Sequence, residues 1–310
     1  MAQFSGRKRG RALSRLATAA IAVALVGATA GNAVATPAPP VPAPLKAAPA
    51  VQHAPVHPTA AAPFFPLFAT KASGEVYTYE PNLQGGFGDR EIVKDSDSRD
   101  ATASVQVDLN QHGLMDGLYL RTTDGSLIFT SVPENENEEP KTERIGGGWN
   151  IYDRILSPGD LTGSGHADLI ARDKSGVLWL YEARQDGTLG DRVRIGRGWD
   201  IYTDIVGRGD LNGDGKTDLV AKDRNGVLWF YKGTGNINDP FESRVRVGGG
   251  WNAYDMLLST GDMNADGRSD MLARDRDGVL WLYKGNGNQS DPFENRVRIG
   301  GGWGQYNSLF

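Results

Sequence analysis

Short apolar runs, separated by glycine-rich and acid-rich turns, recur along the chain from about residue 64 onward. In one clear copy the runs are Tyr202–Val206, Asp218–Ala221, Val227–Tyr231 and Arg244–Val247. Their β-branched and aromatic residues are typical of strands that pack on both faces. The tight turn Asp223–Gly226 joins the second run to the third. Four antiparallel strands in a unit of this length predict one blade of a β-propeller.

The unit repeats at a nearly constant interval. The first acid of an acid-rich loop and a tryptophan that follows glycines both return every 50 or 52 residues, at Asp108, Asp160, Asp210 and Asp262 and at Trp149, Trp199, Trp251 and Trp303. Such a period indicates an array of one supersecondary unit, each burying its apolar faces on its neighbours.

The two ends of the array complement each other. Leu67–Glu80 aligns with the second and third strands of the unit, and Trp303–Phe310 matches a first strand. An open array would need polar caps, whereas a C-terminal strand that joins the N-terminal blade closes a ring without an exposed edge. We therefore predict an all-β, five-bladed β-propeller over residues 64–310, with four antiparallel strands in each blade.

The N-terminal segment is predicted to lie outside the fold. Five basic residues precede the apolar run Leu16–Gly27, and Ala33–Ala35 is a small-x-small cleavage site, so residues 1–35 are interpreted as a secretory signal peptide. The competing interpretation is a membrane anchor, but the run is short for a spanning helix. Residues 36–63 are rich in Ala and Pro and are interpreted as a disordered, semi-rigid spacer. We expect a secreted, extracellular protein without membrane insertion.

The net charge bears on the class of binding partner, and the cysteine content bears on how the fold is stabilised. The formal charge is −5, and removing residues 1–35, which carry five basic and no acidic residues, makes it −10. Nucleic-acid binders carry clustered basic surface, so a nucleic-acid partner is not expected. The chain has no cysteine, so an exported protein of this kind needs some stabiliser other than disulfides.

The acid-rich loops are the predicted stabilisers. Oxygen ligands fall at alternate positions with glycine at the sixth, which is a pattern that wraps Ca²⁺. The two intact copies supply Asp210, Asn212, Asp214 and Asp218, and Asp262, Asn264, Asp266 and Asp270. The first copy keeps Asp108, Asn110 and Asp116 but carries His112, an imidazole that suits Ca²⁺ poorly, so only weak metal binding is expected there. The second copy keeps only Asp160 and Asp168 and is expected to be a plain turn. The alternative for every copy is a polar turn capped by Asp and Asn.

Two family resemblances extend this interpretation. The segment Gly209–Leu219 resembles the FG-GAP or VCBS repeats of integrin α-chain propellers and of secreted bacterial proteins. Arg296–Phe310 and the preceding loop are similar to the tachylectin type of five-bladed lectin, which is specific for N-acetylated amino sugars. The first resemblance implies a calcium-bearing propeller, and the second implies sugar sites between neighbouring blades.

The leading hypothesis is a multivalent carbohydrate-binding protein and not an enzyme. Flexible glycines beside an aromatic ring suit a sugar, whose C–H face stacks while nearby polar groups bind its hydroxyls. The candidate ligand-binding residues are Trp149, Trp199, Trp251, Trp303, Asp239 and Asp291. These tryptophans are equally interpretable as packing between blades, and Trp179, Trp229 and Trp281 are expected there. The partner would be a glycan or a cell-surface polysaccharide, bound by a monomer.

Two other classes stay open. A protein-binding or adhesion module would use loops on one face of the ring, such as the acidic loop Pro133–Pro140. A polysaccharide-active enzyme with acids from different blades would leave no local signature, and the chain shows no nucleophile elbow, catalytic histidine motif or phosphate loop.

Overall fold

The computed structural model describes residues 62–133 and 138–310. The predicted signal peptide, and the predicted spacer up to residue 61, lie outside the described residues. In chain order the strands are β1 (Leu67–Thr70), β2 (Val76–Pro81), β3 (Phe87–Ile92), β4 (Ala101–Val107), β5 (Gly117–Thr122), β6 (Leu127–Ser131), β7 (Thr142–Gly146), β8 (Tyr152–Gly159), β9 (Asp168–Asp173), β10 (Leu178–Glu182), β11 (Val193–Gly196), β12 (Tyr202–Val206), β13 (Leu219–Asp223), β14 (Leu228–Tyr231), β15 (Val245–Gly248), β16 (Tyr254–Gly261), β17 (Asp270–Asp275), β18 (Leu280–Tyr283), β19 (Val297–Gly300) and β20 (Ser308–Leu309).

The strands form five antiparallel sheets of four strands, which are the five predicted blades. Blade 1 has the order β20-β1-β2-β3, blade 2 β4-β5-β6-β7, blade 3 β8-β9-β10-β11, blade 4 β12-β13-β14-β15 and blade 5 β16-β17-β18-β19. Helix in the described part of the chain is confined to three-residue 3₁₀ segments: Ser98–Asp100, Trp149–Ile151, Trp199–Ile201, Trp251–Ala253 and Trp303–Gln305. No helix among these residues is long and apolar enough to cross a membrane.

Local sequence determines the strand boundaries closely. The four runs predicted for the clear copy correspond to β12–β15, and each end differs by at most two residues. The turn between β13 and β14 closes as predicted, because Gly226 N–H donates to the Asp223 carbonyl at 3.0 Å. Gly226 adopts a φ of 73°, in the left-handed region that suits glycine.

The last strand closes the ring. β20 pairs antiparallel with β1, with Ala69 opposite Leu309 and Thr70 opposite Ser308. Phe310 extends the ladder through two backbone hydrogen bonds with Phe68, of 2.8 and 3.0 Å. The two phenyl rings also stack, with centroids 5.6 Å apart. The predicted closure by the C-terminal strand is therefore confirmed, and it removes the free edge of β1.

The apolar core consists of five clusters, one between each pair of neighbouring blades. The cluster between blades 4 and 5, for example, joins Val220 and Phe230 to Trp251, Leu257 and Met271. Both faces of each inner strand pair are thus covered, which explains why the strand runs are apolar rather than strictly alternating. The ring has no single central core.

Buried cations tie blades 3, 4 and 5 to the blades that follow them. Arg172 in β9 donates from Nη1 to the carbonyls of Trp199, at 2.9 Å, and Tyr202, at 2.6 Å. Arg274 in β17 and Lys222 in β13 reach the equivalent carbonyls of the following blade. Arg172 also pairs with Asp153 at 2.8 Å. Removing one partner of such a pair would leave an uncompensated buried charge, so these contacts specify how adjacent blades dock.

The ring closure leads to a stability prediction with a built-in control. Leu309→Asp places a charge at a position that is 6% exposed, so we expect it to lower the free energy of unfolding by more than about 3 kcal/mol. Ser308→Asp on the exposed side of the same strand should change it by less than about 0.5 kcal/mol. Denaturant titration of both variants measures the difference, and equal stabilities would show that β20 does not hold the ring.

Candidate functional site

The acid-rich loop of blade 4 connects β12 to β13 and is closed by its own carboxylates. Asp210 accepts a hydrogen bond from the N–H of Gly215 at 2.7 Å. Asp218 is fully buried and accepts from the N–H groups of Leu211, at 3.0 Å, and Gly233, at 2.8 Å. The two acids therefore hold the loop against the sheet, one from each end.

The loop of blade 5 repeats this arrangement. Asp262 accepts from the N–H of Gly267 at 2.8 Å, and the buried Asp270 accepts from Met263 at 3.0 Å and from Gly285 at 2.9 Å. The repetition shows that the sequence motif encodes one loop geometry.

The middle positions of both loops lie nearer the solvent. Asn212 Oδ1 accepts from the N–H of Asp214 at 2.9 Å, and Asn264 Oδ1 accepts from that of Asp266 at 3.0 Å. The Asp214 carboxylate also lies 3.3 Å from Lys232 Nζ. Both Asp side chains are exposed, so their oxygens are accessible to a cation from solution.

Burial changes the acidity of the carboxylates that close the loops. Desolvation, only partly offset by backbone hydrogen bonds, raises the pKa of Asp218 to about 7 and that of Asp270 to about 7. The pKa of the equivalent Asp168 in blade 3 is raised well above its ordinary value, again mainly by burial. One buried oxygen of Asp168 has no hydrogen-bond partner.

The loops of blades 2 and 3 touch each other. Gln111 Nε2 donates to Asp160 at 3.0 Å, and His166 Nδ1 lies 3.1 Å from the carbonyl oxygen of Leu109. The acid-rich loops of these neighbouring blades therefore lie on the same face of the ring. The blade 3 loop is the one predicted to be a plain turn, and that stays a prediction.

In the blade 2 loop the side chains converge. His112 Nδ1 is 3.1 Å from Asp108 and His112 Nε2 is 3.4 Å from Asp116. The third predicted ligand, Asn110, donates from its side chain to Asp116 at 3.3 Å. Within residues 62–133 and 138–310, Asp108, His112 and Asp116 are the one group of three acidic or histidine residues whose ligand atoms all lie within 4.8 Å.

The predicted calcium ligands of blades 4 and 5 have suitable donor atoms, but their side chains converge less closely than those of the blade 2 loop. Their donors are carboxylate and amide oxygens, which are the ligands that Ca²⁺ prefers. Several of these oxygens accept backbone N–H groups in the structure. The donor set thus fits a hard cation, and calcium binding itself stays a prediction.

The four predicted Gly-Trp residues lie at the interfaces between blades, mostly buried. Trp149, Trp199, Trp251 and Trp303 are 6–9% exposed. Each ring contacts that of a tyrosine of the following blade, at centroid distances of 4.6–4.8 Å, and the tyrosines are Tyr181, Tyr231, Tyr283 and Tyr79. The tryptophans belong to the core clusters, which fits the interpretation as packing between blades. Trp251 also lines a surface cleft, which fits the interpretation as a ligand-binding residue.

A pair of tyrosine hydroxyls and an arginine complete four of the five interfaces. The hydroxyls of Tyr254 and Tyr283 lie 2.5 Å apart, and Arg296 Nη1 donates to Tyr254 at 2.5 Å. The same pairs recur as Tyr152 with Tyr181, Tyr202 with Tyr231, and Tyr306 with Tyr79. Burial, and then the hydrogen bond to its partner, raises the pKa of Tyr283. Tyr283 is therefore neutral at physiological pH.

The tryptophans of the third strands, Trp179, Trp229 and Trp281, are half-buried at the blade interfaces. Trp281 Nε1 donates to Asp275 at 2.8 Å, and the guanidinium of Arg296 lies over its ring at 4.1 Å. Trp179 and Trp229 have the same partners in their own blades. Each of the three packs against the apolar cluster between its blade and the preceding one, as expected, and its ring also contacts an arginine.

A cleft of about 330 Å³ opens between blades 4 and 5. Its lining residues are Val247, Trp251, Tyr283, Asp291, Phe293, Glu294, Asn295 and Arg296. Two residues predicted to bind ligand, Trp251 and Asp291, are thus brought to one site. Asp239 occupies the equivalent exposed position in blade 4, on the loop between β14 and β15.

One of the five interfaces differs. Between blades 1 and 2 the tyrosine pair is replaced by Ala101 and Thr130, and the arginine by Thr142. Thr130 and Thr142 bond to each other at 3.0 Å. The aromatic site is therefore present four times, not the five that the blade count suggests.

Sequence reasoning did not single out the tyrosine pairs or the arginines. Their signal was available, because Tyr202, Tyr231 and Arg244 recur at fixed offsets from each Gly-Trp segment. Phe293, which follows Asp291 and Pro292, also lines the cleft. Of the acidic loop Pro133–Pro140, residues 134–137 lie outside the described residues.

Comparison with solved structures gives weak similarities. The chain is 12% identical to BP39L lectin from Burkholderia pseudomallei, covering 75% of this chain and 69% of that one, with a TM-score of 0.47. A mutant of AofleA from Arthrobotrys oligospora gives 11% identity, coverages of 82% and 76% and a TM-score of 0.45. Prp20p from Saccharomyces cerevisiae is 11% identical, with 76% of this chain and 61% of that chain covered and a TM-score of 0.38. The chain thus spans less than two thirds of Prp20p, and none of these neighbours assigns a function to it.

Sequence families give a clearer result. No curated protein sequence matches the chain. Residues 160–221 and 210–273 match the FG-GAP-like repeat family. These ranges contain the acid-rich loops of blades 3, 4 and 5, as the resemblance noted from the sequence implied. The chain therefore contains FG-GAP-like repeats, set in a five-bladed β-propeller.

Proposed function

We propose that the protein is a secreted, multivalent carbohydrate-binding propeller that recognises glycans containing N-acetylated amino sugars. The observation that carries this proposal is the cleft between blades 4 and 5. It combines an aromatic floor of Trp251 and Tyr283 with the charged and polar side chains of Asp291, Asn295 and Arg296. Apolar walls with a few convergent polar groups are typical of sites for small organic ligands.

The repetition of this site supports multivalency. The Trp, paired Tyr and Arg residues recur at four of the five interfaces, held by the same blade geometry. Weak sites on a rigid ring bind a polymer more tightly than a single sugar, by roughly 10²–10⁴-fold when several engage at once. A cell-surface polysaccharide is therefore the proposed partner.

A protein-binding function is the second candidate. Ile151 and Ile201 are 47% and 39% exposed at equivalent places in two neighbouring 3₁₀ segments. Exposed apolar side chains that recur on one rim of a ring suit a protein partner. Recovery of a specific protein, but of no glycan, would favour this candidate.

Calcium is proposed as a structural ion of the loops in blades 4 and 5. Asp210, Asp214, Asp262 and Asp266 would supply carboxylate oxygens, with Asn212 and Asn264 between them. Asp218 and Asp270, which hold the loop backbone, complete the predicted sets. A bound ion would stabilise the loop on the sheet and would take no part in chemistry.

Sugar binding at the cleft is tested by replacing exposed acids inside the cleft and, as a control, an exposed acid outside it. We expect binding of the protein to chitin oligosaccharides on a glycan array, and a reduced number of sugar equivalents bound in solution when Asp239→Ala and Asp291→Ala are combined. Asp277→Ala, an exposed acid outside the cleft, should bind as the unaltered protein does. Absence of binding to every amino-sugar polymer at high density would contradict the proposal.

Calcium binding is tested by thermal unfolding. If each loop binds at ~10⁻⁴ M, then Ca²⁺ at about one hundred times that concentration stabilises by about 2.7 kcal/mol per site. Each kcal/mol raises the melting temperature by about 2–4 °C in a domain of this size. Asp266→Asn should lose part of that rise and Asp277→Asn none. A melting curve that is the same in excess chelator and in Ca²⁺ would rule out the ion.

The buried acids predict how stability depends on pH without calcium. The folded-state pKa of Asp218 is raised, so folding favours its protonated form. That contribution is complete below about pH 4 and is lost as the pH rises through about 7. In excess chelator the melting temperature should therefore fall between about pH 5 and pH 8. The fall should be smaller in Asp218→Asn than in Asp214→Asn, and equal slopes would contradict the assignment.

A further inference from the structure

We propose that the acid-rich loop of blade 2 is a site for a borderline transition-metal ion such as Zn²⁺, with Asp108, His112 and Asp116 as its ligands. One ligand atom from each of the three residues lies within 4.8 Å of the other two. The sequence predicts weak metal binding here from Asp108, Asn110 and Asp116, and the structure places the imidazole of His112 between the two carboxylates.

The three side chains are held in different ways. Asp108 is nine-tenths buried, and its oxygens accept from the N–H groups of His112, at 3.1 Å, and Gly113, at 2.8 Å. Asp116 is anchored by the N–H of Leu109 at 2.8 Å. The two carboxylates are therefore positioned by backbone groups and need little rearrangement to bind an ion.

His112 provides the remaining donor. Its Nδ1 is 3.1 Å from Asp108 and its Nε2 is 3.4 Å from Asp116. The side chain is 44% exposed, so an ion can reach it from solvent. One neutral imidazole and two carboxylates carry a net charge of −2, which a bound divalent ion would bring to zero. Three protein donors leave a position for water, as in many open zinc sites.

The choice of metal follows from the residue that departs from the repeat. At the fifth loop position the intact copies have Asp214 and Asp266, whereas this copy has His112. Imidazole suits Zn²⁺, Cu²⁺ and Ni²⁺, while Ca²⁺ prefers oxygen. Among the described residues, the intact loops do not bring three acids together at this distance. The substitution thus changes both the geometry and the preferred ion.

A protonated His112 that pairs with both acids is the competing explanation. It requires no metal, and it makes the cluster a stabilising ion pair of the apo loop. The two explanations differ in what happens when Zn²⁺ is added at a pH where imidazole is neutral, since metal binding requires the unprotonated ring.

The test is titration of the untagged protein with Zn²⁺ at about pH 7.5, where imidazole is mostly neutral, by calorimetry and by competition with a chromophoric chelator. The expected result is one bound equivalent that His112→Asn weakens by more than about tenfold. The chain has three other histidines, His53, His57 and His166. His166→Asn, and the combined His53→Asn and His57→Asn, should leave that equivalent unchanged.

A spectroscopic measurement separates coordination from nonspecific adsorption. Co²⁺ in place of Zn²⁺ should give visible d–d absorption bands that vanish in His112→Asn and persist in His166→Asn. Thermal unfolding without metal shows that each variant is folded. Failure to bind Zn²⁺, or binding that is identical in His112→Asn and the unaltered protein, would overturn the proposal and leave the ion pair as the explanation.

Discussion

Each four-stranded sheet has two apolar faces and can bury them only against neighbouring sheets, and this constraint shapes the whole molecule. Five such sheets bury all of these faces when they form a closed ring. The pairing of β20 with β1 is the contact that completes this ring. Without it, the edge of β1 and the apolar face around Phe68 would meet water. The closure also joins the two ends of the repeat array, which makes the stability of every interface depend on its neighbours.

The interfaces that hold the ring also build the candidate ligand site. Trp251 packs into the core between blades 4 and 5, and at the same time its edge forms part of the cleft floor. The tyrosine hydroxyls and Arg296 lie at the boundary between this core and solvent. A ligand bound there would contact both blades, so its binding would favour the docked arrangement of the ring. The site at blades 1 and 2 lacks this boundary because Thr130 and Thr142 replace the aromatic and cationic residues.

The acid-rich loops keep one backbone arrangement, while the donor atoms that they offer differ among the copies. In each, the acid at the ninth loop position accepts a backbone N–H from its own loop, and the acids concerned are Asp116, Asp168, Asp218 and Asp270. The more exposed positions are then free to vary without loss of the loop. An aspartate there offers an oxygen to a hard cation, and a histidine offers a nitrogen to a softer one. The variation among copies is therefore located where it alters ligand chemistry and not the fold.

The amino-acid sequence by itself determined the strands, the blade count and the closure, because these follow from local residue patterns and their period. The runs around Tyr202 and Val227 lie within two residues of the strands. It also determined which loops carry oxygen donors. Only the tertiary structure decided which residues share a cleft, as with Trp251 and Asp291 from segments 40 residues apart. It likewise decided how far each tryptophan is buried and that Asp108, His112 and Asp116 converge. These properties depend on the distances between blades and on side-chain directions within loops, and a residue pattern along one dimension does not contain them.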